Sequence, residues 1–434
     1  MSLSGALNTS VSGLRAQAAQ IAAVSENIAN ATTTAYKTRG LAFQALVTGA
    51  QTRTGLSSGG VIFNSYQNIG KQGLVQATDN GTDIAINGNG FFVVTDELNA
   101  LPSEFKYSRN GNFKTDAAGF LINNEGYYLL GQLTDDTGAV IATNNNDISS
   151  LSPIDVNSIG GTAQSTTVIR MDLNLPAEAA AADTFTNSIE IFDALGVAHS
   201  ISITWTKNGA NDWTATFSDP VQTNTGLVSG VIDTDSGTAG IQTDIDITFN
   251  GDGTVASFTP AITSLDITGW TTGAQNSTIA LDLGTVGLAD GLTQFSSSTA
   301  NTGLEIFLID QDGTRFGQLS SVSIDDNGLV TALFENGVRL PVYQIPIATF
   351  PNPEGLTPVA GTVYDENERA GNYNLRLPGQ GNAGQIVASA LELSTTDTSE
   401  EFNKMIVAQQ AYSSAAQVVS TSDEMFQELI SAVR

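Results

Sequence analysis

The chain has 434 residues, room for about two to four domains, and sets 44 Asp and Glu against 16 Lys and Arg for a formal charge of −28. So acidic a chain repels phosphate backbones, which argues against nucleic acid as a partner. The absence of cysteine removes disulfides, Cys-metal sites and thiol catalysis together. Apolar residues make up 41% of the chain and charged ones only 14%, too much burial potential for a disordered polymer.

Residues 1–30 lack a basic n-region and a continuous apolar h-region, so no cleaved secretory signal is expected. No stretch approaches the 18 or so apolar residues needed to cross a bilayer, so membrane insertion is not expected either. The charge is uneven. Residues 1–50 carry Arg15, Lys37 and Arg39 against Glu26, whereas 151–300 carry 16 acids against Arg170 and Lys207.

In chain order, the first 29 residues read as one helix. Leu7, Val11, Leu14, Ala18, Ile21, Ser25 and Ile28 follow alternating four-three spacing, the a/d pattern of a coiled-coil seam. Residues 31–70, rich in Thr, Gly, Ser and Gln, show no clear period and read as a connector. From there to about residue 370 nearly everything reads as strand. Asp83–Val94 is strand, Gly turn, strand. Tyr107–Lys114 and Gly119–Leu130 place Asn-Gly and Glu-Gly turns between apolar runs, and Ser323–Val330 and Leu333–Leu340 repeat that hairpin grammar.

An acidic block, 146–290, has its own alternating strands at Ser188–Asp193, His199–Trp205 and Asp244–Phe249, with Pro176–Ala182 as a loop. The last 33 residues form a second helix with the stronger seam: Phe402, Met405, Gln409, Tyr412, Ala416, Val419, Asp423, Phe426, Ile430 and Val433. Thr398 or Ser399 can cap it, with Glu400 and Glu401 favoured by the dipole of the first turn.

The expected fold is therefore mainly β with α-helical termini, in discontinuous nested domains. Residues 1–30 join 400–434 in a coiled-coil-like helical inner domain. Residues 31–70 and 371–399 are connectors, 71–145 plus 291–370 form a β-rich middle domain, and 146–290 is an inserted outer β-domain. Two readings of the seams stand side by side: a helix hairpin closed within one subunit, or a pair that leaves apolar surface exposed and bundles with neighbouring chains.

Several segments resemble the flagellar rod and hook family. Ser25–Lys37, with Asn27, Ile28, Ala29 and Asn30 ending the helix ahead of Tyr36 and Lys37, is similar to the N-terminal signature, with Ala35 where Gly is usual. Asp83–Val94 and Tyr107–Gly131 look like the core β-motifs. Leu391–Ser394, Asp397, Glu401 and Phe402, then Ile406–Tyr412, resemble the C-terminal signature, with Thr395 and Thr396 replacing Asn-Val. The length, Ile191–His199 with Trp205 and Trp213, and Phe350–Leu356 resemble hook rather than rod members.

The resemblance implies a structural role in the bacterial flagellum. Subunits of this kind pass unfolded, without a cleaved signal, through the type III export machinery and assemble under a hook cap into an extracellular homopolymer. The terminal helices form an inner tube and the β-domains an outer wall that slides as the curved tube turns, a universal joint transmitting torque. Rod and hook–filament junction proteins are the implied neighbours at its ends. A distal rod or hook-associated axial protein is the alternative inside the family. Phe43 and Val47 fit an aromatic-aliphatic export-recognition pattern, and equally the ordinary packing of a connector.

Catalytic patterns fare poorly. His199 is the only histidine and no Gly-x-Ser-x-Gly elbow occurs, so a packed strand-edge residue is the preferred reading over a triad member. Asn87–Gly90 lacks the third glycine of a dinucleotide loop and reads as a turn. Asp310–Gly313 lacks the later Glu of a calcium loop and reads as a hairpin turn. Trp205, Trp213 and Trp270 read as β-domain core. No cofactor, metal or enzymatic activity is expected. Outside the family, the rivals are a glycosidase using paired carboxylates and a β-rich surface adhesin.

Overall fold

The computed structural model describes residues 3–46, 60–141, 147–157, 160–234, 242–261, 264–297 and 303–432. The chain divides into two compact units. One holds Met1–Ser158, Ser321–Ala332 and Arg339–Arg434; the other holds Ile159–Ser320 and Leu333–Val338. The second unit thus reaches past 290, because the strand Glu305–Gln311 pairs with Val168–Asn174.

Both helices belong to the first unit. α1 runs Leu3–Ala29 and α2 runs Thr398–Ala432, about 40 and 52 Å at 1.5 Å per residue, and they pack against each other. Neither Thr398 nor Ser399 caps α2. Asp397 does, its Oδ1 accepting from Ser399 N at 2.9 Å and Glu400 N at 3.2 Å. A carboxylate one residue ahead of the helix meets the free N–H groups and the positive dipole end at once.

The stretches expected to be connectors are instead ordered strands. Arg39–Ala45 and Val61–Gln67 form an antiparallel ribbon that packs on α1. Most of its residues are exposed, so no buried-face alternation marks it in the sequence. Within 371–399, Asn374–Arg376 pairs with Ile347–Thr349, Gln385–Ala388 with Ile84–Asn87, and Ala390–Glu392 with Val75–Ala77. The late chain is thereby stitched to the early chain.

The main sheet of this unit runs Arg339–Gln344, Tyr128–Leu133, Phe92–Thr95, Lys106–Ser108, Val363–Asp365, Thr357–Ala360. Phe91, Val93, Tyr107, Leu130, Phe350 and Tyr364 share its core, with Tyr107 edge-on to Phe350 at 4.7 Å. Asn110-Gly111 is not a hairpin turn: the strands flanking it pair elsewhere, Phe113–Thr115 with Leu121–Asn123. Gly111 is required for close approach, since a Cβ there would lie 1.7 Å from the Ile84 carbonyl oxygen.

The second unit has two sheets around one core. Thr184–Phe192, Ala198–Gly209, Asp212–Phe217, Asp244–Phe249 and Val255–Thr259 form one sheet in that order. Val231–Asp233, Ser264–Thr268, Ser277–Asp282 and Val168–Asn174 lead the other. Alternation is strict. Ile201, Ile203 and Trp205 face inward between Ser200, Ser202, Thr204 and Thr206. All three tryptophans are in the core. Asp310–Gly313 turns no hairpin; Asp312 instead accepts from Thr167 N and Val168 N.

Candidate assembly interface at the paired terminal helices

Where α1 ends, the chain must turn back across α2, and a buried polar junction fixes that turn. Asn27, last but two in α1, is buried. Its Nδ2 donates to Arg39 O and to Glu401 Oε2, both at 2.9 Å, while its Oδ1 accepts from Tyr36 OH at 3.1 Å and Arg39 N at 2.9 Å. One amide thereby satisfies the connecting strand and the first turn of α2. Burial, reinforced by Glu26, pushes the Tyr36 hydroxyl up to about 12.

Next along the chain, Lys37 is fully buried. Its Nζ donates to Lys71 O at 2.6 Å and meets Glu392 Oε1 at 2.5 Å. Arg109 reaches the other oxygen of Glu392 at 3.4 Å and donates to Gly88 O at 2.8 Å. Glu392 also accepts from Gly73 N at 2.6 Å. Burial lowers Lys37 to about 8 against the pull of Glu392, and burial also lowers Arg109. Ala35, at the position where glycine is usual, has a left-handed φ of 57° and donates its N–H to the Glu392 carbonyl at 2.7 Å.

The N-terminal signature residues thus gather at one place. Asn27, Tyr36 and Lys37 make the contacts above, and Asn30 bonds back to Glu26 O. Ile28 is half-buried and Ala29 exposed. Sequence reasoning missed Glu392, Arg109 and Glu401 as their partners. The signal was there for Glu392: an acid at the core-facing position of an Ala-Leu-Glu strand requires a buried cation.

Along the helices, the most deeply buried residues are not the seam residues themselves. On α1 the buried residues are Ala16, Val24 and Asn27. At 3.6 residues per turn, Ala16 lies roughly half a turn from the line of Leu7, Val11, Leu14 and Ala18. Of the α1 seam, Leu7, Val11, Leu14, Ile21 and Ile28 are half-buried and Ala18 is exposed.

On α2 the buried residues are Glu401, Ala408 and Ser422, on one heptad line. Met405, Ala416, Val419 and Phe426 are half-buried, Phe402, Tyr412 and Ile430 are exposed, and Val433 lies outside the described residues. With Ile406, Val407, Val418, Met425 and Leu429, the exposed residues form large apolar surface 42–65% open to solvent. Phe43 is exposed on the ribbon strand Arg39–Ala45, and Val47 lies outside the described residues.

His199 is not on a strand edge. Its strand is paired on both sides, and the ring is fully buried against Trp270, centroids 4.4 Å apart. Nδ1 lies 2.7 Å from Ser229 Oγ and Nε2 lies 3.2 Å from Asp193 Oδ2. Burial pushes the Asp193 carboxyl up, but bonds from Thr272, Val197 N, His199 and Leu195 N outweigh it and hold the group below its ordinary range. Ser229 is buried and donates to Pro220 O at 2.9 Å, so this serine-histidine-aspartate contact is packed inside a core. Among the described residues no group of three or more His, Cys, Asp or Glu is placed to hold a metal.

Comparison with known proteins accounts for both ends and both β regions. The model described as "Flagella basal body rod protein" matches residues 7–37. "Flagellar hook protein FlgE/F/G D1 domain" matches 85–169, and "Flagellar basal body protein FlaE D2 domain" matches 163–313. "Flagellar basal body rod FlgEFG protein C-terminal" matches 387–432.

The flagellar hook protein FlgE of Rhizobium meliloti is 30% identical over 440 residues, covering 100% of both chains. That of Escherichia coli is 30% identical over 438 residues, 98% of this chain and 99% of its own. The crystal structure of Helicobacter pylori flagellar hook protein FlgE2 aligns with a TM-score of 0.47 at 14% identity, over 73% of this chain and 100% of that one. The chain belongs to the flagellar hook protein family and is a structural subunit of the bacterial flagellar hook.

Proposed function

We propose that the chain polymerises through α1 and α2 into the hook tube, the helices lining the inside and the β-rich parts forming the wall. One observation carries this reading. The helix pair buries Ala16, Ala408 and Ser422 within its own chain and leaves Phe402, Ile406, Val407, Met425, Leu429 and Ile430 largely uncovered. Each such side chain gains roughly 1.5–3 kcal/mol when fully covered, so neighbouring copies that bury several of them decide between monomer and polymer. A shallow groove of about 660 Å³ between Ala6 of α1 and Val418, Ser422 and Met425 of α2 offers one such seat.

The role is mechanical rather than catalytic. The subunit works outside the cell, reached through the flagellar export channel, with rod and filament-junction proteins at the ends of the polymer and a cap during growth. The seam residues Leu7, Val11, Leu14, Ala18, Ile21 and Ile28 of α1 and Phe402, Met405, Tyr412, Ala416, Val419, Phe426 and Ile430 of α2 contact other copies. The junction built on Asn27, Tyr36 and Lys37 sets the angle at which the helices leave the β body.

The test is electron microscopy of the purified full chain, brought from low to high salt. Tubes are expected. A chain that stays monomeric at every salt and protein concentration, including in the presence of preformed hook fragments as seeds, sinks the reading.

A further inference from the structure

In the second unit, Glu305–Gln311 is paired on one side, with Val168–Asn174, and among the described residues no other strand pairs with it. The pairing slips midway. Leu308 lies opposite Asp172 and Ile306 opposite Leu173, leaving Phe307 as the extra residue of a β-bulge. Phe307 is 69% exposed, with Ile306 and Leu308 beside it at 50% and 39%. The unit folds its three tryptophans into the core, yet Phe307 is the most exposed aromatic among the described residues.

A bulge has two effects at a sheet edge. It spoils the register that an incoming strand needs, and it re-aims a side chain. Uncontrolled strand addition is therefore discouraged while one aromatic is held out. The rim is charged: Arg170 pairs with Asp172 at 3.3 Å on the face shared by Leu308, and Asp310 lies opposite Arg170.

We infer that Phe307 is a knob by which the second unit of one copy docks on a second copy of this chain in the assembled polymer. This rests on the polymer reading above. The area selects the occupant. The tip exposes on the order of 300 Å², given that an aromatic side chain buries 150–250 Å². Stable partners need about 800 Å² per side, so a free protein is not held by this tip alone. A copy already tethered through its terminal helices is, because the second contact is then intramolecular in effect. So small a contact between acidic neighbours breaks and re-forms readily, and salt strengthens it by screening Asp172 and Asp310.

The absence of cysteine makes the test clean. Phe307→Cys and, as a control on the hydroxyl-rich sheet face, Ser188→Cys are introduced singly into the full chain. Each is labelled with a maleimide, as monomer and in hooks assembled by cells. Docking predicts that residue 307 reacts several-fold more slowly in hooks than in monomer while residue 188 changes little. Equal slowing at both positions, or none at 307, overturns the inference while leaving the helix-driven polymer intact. Phe307→Ser supplies the second measurement. It leaves the monomer's unfolding midpoint unchanged and raises the protein concentration needed for salt-induced tubes several-fold; an unchanged threshold counts equally against the knob. Hooks that contain no labelled chain in either variant, with tubes also absent in vitro, instead bring down the polymer reading and this inference with it.

Discussion

The second unit and the helix pair of the first differ in the side chains they bury. In the second unit's strands Ala198–Gly209, Asp212–Phe217 and Asp244–Phe249, alternate residues, mostly Ile, Phe and Trp, turn into a shared core and the solvent face is mostly Ser, Thr and Asp. The helix pair hides Ala16, Val24, Asn27, Glu401, Ala408 and Ser422 against its own chain, and α2 shows Phe, Ile, Val, Met and Leu to solvent. The second unit covers most of its apolar surface within its own fold, and α2 leaves much of its own open to solvent. Folding stability and assembly are therefore set by different residues and separable by mutation. Two signals follow them apart, since all three tryptophans lie in the second unit and both long helices in the first.

The largest effect belongs in the second unit's core. Trp213→Ala leaves a cavity beside Ala215, Ile245 and Ile247 and costs about 3–5 kcal/mol. The denaturation midpoint reported by tryptophan fluorescence falls accordingly, while the helical circular dichroism transition of the first unit holds. Glu392→Gln comes next. It leaves Lys37 and Arg109 buried beside a neutral amide and costs the first unit about 3 kcal/mol, read in the helical signal, with the fluorescence midpoint unmoved.

Lys37 supplies a pH test with a definite sign. Its folded value of about 8 lies below its ordinary 10.5, so above pH 8 the unfolded chain binds more protons than the folded one. Stability of the first unit therefore rises between pH 8 and 10, by about 2 kcal/mol. Above pH 10 Tyr36 acts the other way, because its folded value of about 12 exceeds its ordinary 10. A urea midpoint in the helical signal that rises and then falls across this range is the expected result, and Lys37→Met removes the rising limb. A smaller gain comes from Ala35→Gly: relieving a left-handed φ of 57° stabilises the first unit by about 1 kcal/mol.

Legibility in the sequence followed the same division. Where burial alternates, as at Ser188–Asp193 or Asp244–Phe249, period two is visible in the letters and the strands lie where it places them. The helices were equally legible, but the a/d letters did not separate buried from exposed: most seam residues are half-buried, while Ile406, Val407, Val418, Met425 and Leu429, exposed on α2, lie outside the seam. The ribbon at Arg39–Ala45 and Val61–Gln67 was hidden by two open faces. The junction was half visible: Asn27, Tyr36 and Lys37 stood out as a motif, but Glu392 and Arg109 lie hundreds or tens of residues away, and pairings across such distances leave no local trace.

The smallest effect on folding sharpens the comparison most. Ile430 is 64% exposed near the end of α2. Ile430→Asp therefore changes monomer stability by no more than about 0.5 kcal/mol, as surface substitutions do. In a polymer the same carboxylate has to be stripped of water against apolar neighbours, a cost of several kcal/mol that any copy placed beside it shares. Salt-induced tube formation is expected to vanish while both unfolding transitions stay in place. Had the helix pair been closed within one subunit, the substitution would show itself in the helical transition and leave self-association, if any, untouched. Ser188→Asp, an added carboxylate on the hydroxyl face, is expected to alter neither.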